Sequence, residues 1–136
     1  YANKYKKLAK DLNINKNIKF QGSIGEREKL FNWLDDLDIY LQPSLTEGLP
    51  RTLIEAMSRA CPSIGSDSGG IPELLMKEVI FKSKDYKALK SIILKLVNNT
   101  SLLELHANEN FKKAKEFRKE TLDCRRSQFW FDFNNL

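Results

Sequence analysis

Short apolar runs alternate along this chain with stretches of helical period, and that alternation limits the folds open to it. The runs are "NIKFQG" (17–22), "DIYLQP" (38–43), "PSIGSD" (62–67) and "EVIF" (78–81). Glycine, proline or aspartate bounds most of them, as expected of strands. Between them Tyr1, Tyr5, Leu8, Ala9 and Leu12 fall at helical spacing, then Leu30, Trp33, Leu34 and Leu37, then Leu53, Ile54 and Met57. "IPELLM" reads as a short helix with Pro72 in its first turn. "DYKALKSIILKLVNN" and "SLLELHANENFKKAKEF" continue as helix, followed by an aromatic run, "RRSQFWFDF". Strands that alternate with helices predict a parallel sheet covered on both faces. The right-handed crossover rule then gives an α/β, doubly wound, Rossmann-like sheet with a helical C-terminal tail.

The 136 residues suit one domain, 1–136. The opening helix has no strand before it and the chain does not begin with Met, so it is expected to be cut from something longer. No apolar stretch approaches a membrane span, and the opening residues do not read as a signal peptide. Cys61 and Cys124 lie far apart without CxxC spacing, which argues against zinc and thioredoxin-like chemistry and suits a reducing cytoplasm. Net charge is +5, with lysines concentrated at Lys4–Lys19 and Lys112–Arg126. Both runs are interleaved with apolar residues, so a solvated helix face is the plain reading. No nucleic-acid motif accompanies them, whereas an anionic membrane surface or an anionic ligand fits them equally. His106, the only histidine, sits inside a helical stretch without a local partner and reads as a surface or half-buried structural residue.

Chemistry concentrates in "PSLTEGLPRTLIEA", Pro43–Ala56. Ligands of an open parallel sheet bind beyond the carboxyl ends of its strands, where "DIYLQP" delivers this segment. A helix is expected to begin near Pro50 or Arg51, with its unpartnered amides and positive dipole end at the cleft. Gly48 lets backbone approach a bound group, and phosphate is the usual occupant of such a site. Glu55, one turn after Arg51, leans back toward the mouth. A carboxylate repels phosphate but accepts well from paired hydroxyls, as a ribose offers. Glu47, before the helix, can do the same for a sugar on the other side. Two hydroxyl-rich groups joined by an anionic linker describe a nucleotide-sugar. The plainer alternative makes Glu47 a complement to the helix dipole and Glu55 a surface residue.

"PSLTEGLPRTLIEAMSRACPSIGSDSGGIPELL" (43–75) closely resembles the C-terminal donor-binding domain of the GT-B fold, family-4 retaining glycosyltransferases. The matching pieces are "PS", the Glu47-x7-Glu55 pair, "EAM", "CP", "SD" and "GGIPEL"; "IKFQGSI" and "LDDLDIYLQPS" upstream and the helical tail also look like this family. The resemblance implies that Glu55 takes the ribose hydroxyls and that Glu47, the catalytic candidate, contacts the transferred sugar. It implies that backbone amides of Gly48, Leu49, Arg51, Thr52 and Leu53 hold the sugar and diphosphate, and that Gly22, Ser23 and Ile24 line the base pocket. It implies a nucleoside diphosphate donor, with uridine expected. The acceptor would be a glycan or lipid-linked, bound mainly by an N-terminal domain, in a setting such as bacterial surface polysaccharide synthesis. The enzyme would lie in the cytoplasm, with peripheral association at the inner membrane face open to it. No metal or other cofactor is expected, since helix dipole and basic groups carry the leaving diphosphate's charge. Three departures stand out: Pro50 replaces a second glycine common in the family, the segment after Leu75 lacks the usual Asn-Gly loop, and the family's Arg/Lys pair for the diphosphate would precede Tyr1. A binding module without transfer activity, and a nucleotide-sugar epimerase of the same architecture, are the rival readings.

Asp67 with Gly69 and Gly70 reads first as turn chemistry at a strand end, with a cleft-lining role open to the glycines. Glu73 reads as a first-turn carboxylate and Trp33 as core. Phe129, Trp130, Phe131 and Phe133 cannot all face one core from a helix. Either they form a locally buried cap, or part of the run packs against a further domain.

Overall fold

A computed structural model describes residues 2–135, which fall into two compact units divided between Leu30 and Phe31. In the first, helix α1 (Ala2–Asp11) closes where Asn13 turns left-handed at φ 56°. The amides of Asn13 and Ile14 there donate to the carbonyls of Lys10 and Ala9. This double bond pattern is the usual way a helix end is satisfied, and asparagine tolerates the angle. Tyr5, Leu8 and Leu12 do fall at helical spacing, but they are exposed, and Ala9 is the buried member of that face. Tyr1 lies outside the described residues.

The strand expected at "NIKFQG" does not form among the described residues. After a 3-10 turn at Asn15–Asn17, Ile18 is extended at φ −118°, ψ 125°, yet residues 18–25 carry no ladder. β-branched and aromatic residues favour extended backbone, but a strand exists only against a neighbour. Phe20 remains exposed under the ammonium of Lys6, 5.7 Å from its ring centre.

The second unit holds the sheet. Strands β1 (Tyr40–Gln42), β2 (Ser63–Ser66) and β3 (Ile80–Phe81) are parallel in the order β1-β2-β3. Tyr40 is paired with Ser63, Gln42 with Gly65, and Ser66 with Phe81. Every residue of the central strand is buried. Helices surround it: α2 (Arg27–Asp35) leads into β1, α3 (Arg51–Ser58) connects β1 to β2, and α4 (Ile71–Leu74) precedes β3. Then follow α5 (Tyr86–Val97), α6 (Thr100–Ala114) and α7 (Lys119–Asn134). This is the Rossmann-like parallel sheet with a helical tail that the alternation predicts.

Helix α3 buries Leu53, Ala56 and Met57, and Leu53 and Met57 meet Ile64, Ile71, Val79, Phe81 and Leu96 in one core. Each such large side chain contributes about 1.5–3 kcal/mol by leaving water. The helix ends as α1 does: the amides of Ala60 and Cys61 donate to Met57 and Ala56, and Ala60 takes φ 57°. Arg59 at that end forms a two-pronged ion pair with Asp35 of α2, at 2.7 and 2.6 Å, and lies over the Phe31 ring. The side-chain amide of Asn110, buried on α6, donates to the Cys61 carbonyl at 2.8 Å and ties α6 to the same junction. Burial pushes the Cys61 thiol up to about 11, so it stays protonated and inert at neutral pH.

Two sequence expectations change here. His106 is fully buried on α6, with Nδ1 unpartnered among the described residues. The aromatic run forms no buried cap: Phe129, Trp130, Phe131 and Phe133 are 57–65% exposed on α7, where Phe129, Trp130 and Phe133 pack on one another. Consecutive helical positions diverge by about 100°, so this run cannot converge on a single surface.

Two measurements follow from this packing. Alanine at the left-handed position after α3 costs about 1–2 kcal/mol that glycine avoids. Ala60→Gly is therefore expected to raise Tm, with about 1 kcal/mol gained in chemical denaturation; an unchanged or lower Tm would show that the turn is unstrained. Burial also holds the His106 imidazole below its ordinary value, against an upward pull from Glu78 and with a smaller downward push from Lys95. The unfolded chain then binds the proton more readily than the folded one. The contribution is complete above about pH 6.5 and is lost as pH falls toward the lower folded value. Tm should fall between pH 7 and 5, and less steeply in His106→Leu; parallel pH profiles for the two proteins would rule this out.

Candidate functional site

The segment joining β1 to α3 is held from three sides. Its Ser44 carbonyl accepts hydroxyls from Ser66 at 2.6 Å, Ser68 at 3.0 Å and Ser83 at 3.3 Å. These come from the end of β2, the turn after it and the turn after β3. The Gly70 amide donates to the Gly48 carbonyl at 2.7 Å. The Gly69–Gly70 turn lies so close that a Cβ at Gly69 would stand 2.0 Å from the Glu47 carbonyl oxygen, and one at Gly70 2.9 Å from that of Gly48. Gly69 also holds φ 55°, a region L-residues rarely adopt. Both glycines are thus required by close approach as well as by turn geometry. Asp67 serves the same turn, its carboxylate accepting the Ser83 amide at 2.7 Å.

Helix α3 begins at Arg51 after Pro50, and no side chain caps it. Among the described residues the amides of Gly48, Leu49, Arg51, Thr52 and Leu53 donate to no backbone carbonyl. Pro50 has no amide, so the donors fall into two groups around it. A Cβ at Gly48 would meet open space. The result is an unfilled set of donors at the positive end of a helix.

Two carboxylates accompany these donors. Glu47 Oε1 accepts from the Gln42 side-chain amide at 2.8 Å and from the Ser44 hydroxyl at 2.6 Å. Gln42 also donates to Ser44 Oγ at 2.8 Å and accepts the Tyr40 phenol at 2.7 Å. Glu55 is half-buried, and among the described residues it forms no ion pair, not even with Arg51 one turn earlier. Burial raises the Tyr40 phenol above its ordinary value; the Thr52 hydroxyl opposes this, and the charges of Glu47 and Glu55 both add to it. One phenol therefore feels both carboxylates.

Glu47, Gly48, Leu49, Arg51, Thr52, Leu53 and Glu55 thus lie together around the start of α3. Gly22, Ser23 and Ile24 belong to the first unit. There Gly22 takes φ 75°, and Ser23 and Ile24 line a mainly polar recess of about 340 Å³ with Gln21, Gly25, Glu26 and Lys29. Sequence reasoning missed Tyr40, Gln42, Ser44 and the serines that clamp it. The available signal was two polar residues spaced by two on a strand, which places both on one face. Among the described residues no cluster of His, Cys, Asp and Glu could hold a metal ion, and no helix is long and apolar enough to cross a membrane.

Gly69→Ala tests the packing of the turn on the loop. The added methyl has no room without displacing the Glu47 backbone, so the variant is expected to lose about 2 kcal/mol or more in denaturant unfolding. Wild-type stability with an unshifted loop in a crystal structure would refute the contact.

The glycosyl transferases group 1 family matches residues 1–117. Protein CapJ of Staphylococcus aureus is 31% identical over 135 residues, covering 99% of this chain and 34% of its own length. The amylovoran biosynthesis glycosyltransferase AmsK of Erwinia amylovora is 39% identical over 79 residues, covering 52% of this chain and 19% of its own length. The chain thus spans 34% and 19% of the lengths of these two curated relatives. Sucrose-phosphate synthase from Thermosynechococcus elongatus superposes with a TM-score of 0.87 at 20% identity, covering 98% of this chain and 34% of that one. Anabaena HepE, solved in complex with UDP, gives 0.82 at 20% identity, covering all of this chain and 37% of its own. The fold is that of the C-terminal domain of GT-B glycosyltransferases, and the chain belongs to the glycosyl transferases group 1 family.

Proposed function

We propose that this chain is the donor-binding part of a retaining glycosyltransferase that moves a sugar from UDP to a glycan or lipid-linked acceptor. The observation that carries the reading is the uncapped start of α3, whose unpartnered amides lie in the segment flanked by Glu47 and Glu55. Amides of Gly48, Leu49, Arg51, Thr52 and Leu53 would hold the sugar and diphosphate, where the helix dipole favours negative charge. Glu55 would accept the ribose hydroxyls, and Glu47 would contact the transferred sugar. Gly22, Ser23 and Ile24 would line the base pocket. Charge leaving with the diphosphate would be met by these amides and by basic side chains, so the transfer would need no metal.

The acceptor would be bound mainly by an N-terminal domain of the full-length protein. AmsK, an amylovoran biosynthesis glycosyltransferase, supports a setting in bacterial surface polysaccharide synthesis, and the UDP complex of HepE supports uridine as the base. Such synthesis would place the enzyme in the cytoplasm, with lipid-linked acceptors drawing it to the inner face of the membrane.

The two carboxylates separate in one experiment on the full-length protein. A hydrogen bond to a charged group contributes about 1.5–3 kcal/mol, so Glu55→Ala should weaken UDP binding about tenfold or more in calorimetry. Glu47→Ala should leave UDP affinity nearly unchanged and slow sugar transfer. Equal loss of UDP affinity in both variants would overturn the division of roles, and unchanged affinity in Glu55→Ala would remove the ribose assignment.

A further inference from the structure

The half-buried face of β1 carries a polar arrangement that the donor site as proposed does not use. Tyr40 and Gln42 stand two residues apart on one strand and therefore on one face. Buried parallel strands ordinarily place Val, Ile or Leu at such positions. Here the Gln42 side chain instead spends three hydrogen bonds: its oxygen accepts from Tyr40, and its two N–H groups go to Ser44 and Glu47. The amide can sit only one way round. Turned over, it would aim its oxygen at the Glu47 carboxylate and lose the acceptor that the Tyr40 phenol now uses. Ser44 donates in turn to the same Glu47 oxygen. A chain of donors thus runs from Tyr40 through Gln42 and Ser44, all pointing toward Glu47 Oε1. Oε2 has no hydrogen-bond partner among the described residues.

We propose that Gln42 is a positioning residue for sugar transfer: its amide, oriented by Tyr40, locks one oxygen of Glu47 and leaves the other to receive the donor sugar. This rests on the reading of Glu47 as the sugar-contacting carboxylate. An unrestrained glutamate has several rotamers, and ordering a rotamer-rich side chain on binding costs about 0.5–1.5 kcal/mol. The network takes that loss before the donor arrives. It also holds the carboxylate in one geometry, on which the rate of a positioned reaction depends steeply. Gln42 touches no substrate in this scheme and acts only through Glu47.

The test uses the full-length protein, a panel of UDP-glucose, UDP-galactose, UDP-N-acetylglucosamine and GDP-mannose to find the donor hydrolysed or transferred, and UDP for calorimetry. Gln42→Met keeps the size and removes the hydrogen bonds. Gln42→Glu keeps the shape but sets a second carboxylate against Glu47. The expected order of kcat is wild type, then Gln42→Met at least tenfold lower, then Gln42→Glu lower again, with UDP affinity within twofold throughout. A packing role would instead tolerate Met and move UDP affinity together with kcat. Gln42→Met within twofold of wild-type kcat, or proportional loss of UDP affinity, overturns the proposal. Glu47→Gln is measured alongside. If it loses transfer while Gln42→Met does not, the positioning role alone fails. If Glu47→Gln transfers normally, or no donor in the panel reacts, the reading of Glu47 fails and this inference fails with it.

Discussion

A main-chain oxygen organises this domain. The Ser44 carbonyl gathers hydroxyls from Ser66, Ser68 and Ser83, three segments brought to one edge of the sheet by the parallel order of β1, β2 and β3. Each bond is worth only about 0.5–1.5 kcal/mol net. Their shared target matters more than their sum. A loop leaving the end of a parallel strand is ordinarily the mobile part of an α/β fold. Here it is fastened at its second residue, and the Gly69–Gly70 turn presses on its fifth and sixth. What remains free is the set of amides that opens α3.

The same requirement explains the composition of β2. A central strand buried on both faces is expected to be a run of large aliphatic residues. β2 reads Ser-Ile-Gly-Ser instead. Ile64 alone supplies bulk to the core. Gly65 is small because α4 lies directly on it: a Cβ there would come within 2.4 Å of the Ile71 side chain. Ser63 turns its hydroxyl to the Cys61 carbonyl, and Ser66 turns its own to Ser44. The strand gives up apolar burial to bring α4 and the glycine turn close and to fasten the loop. Helix α3 restores the lost core through Leu53, Ala56 and Met57, anchored at its far end by Arg59 on Asp35 and by Asn110 on Cys61.

Much of this was legible in the residues. Helical periodicity located α3, α5 and α6 because each has an apolar face to bury, and Asp85 and Asn99 cap α5 and α6 as such residues do. Three of four strands were readable for the same reason. "NIKFQG" was not, because local propensity reports an extended chain and says nothing of a partner to pair with. His106 looked peripheral because a polar residue in a helix is usually exposed; its burial arises only when α6 packs into the fold, which is a tertiary fact. The Glu47 and Glu55 positions could be singled out because they flank a Gly-Leu-Pro turn and a helix start at the carboxyl end of a strand, where a parallel sheet binds its ligands. Gln42 could not, since its meaning arises only when β1 and the loop fold back on each other.

The polar network also answers a problem of charge that the proposed donor site poses. Two unit charges 4 Å apart interact by about 4 kcal/mol at an effective dielectric of 20. A carboxylate free to swing toward the start of α3 would therefore compete with any anion bound there, cancelling the field that its amides create. The backbone of Glu55 is set by the second turn of α3. Glu47 has no such support, since it lies in the loop before Pro50. Its restraint comes from the side, through Gln42 and Ser44 on one oxygen and through the glycine turn against its backbone. The two acidic residues are thus fixed by different means, one by helix geometry and one by a hydrogen-bonded strand face. A helix start can hold phosphate and carboxylates side by side only when neither carboxylate can drift into the phosphate's place.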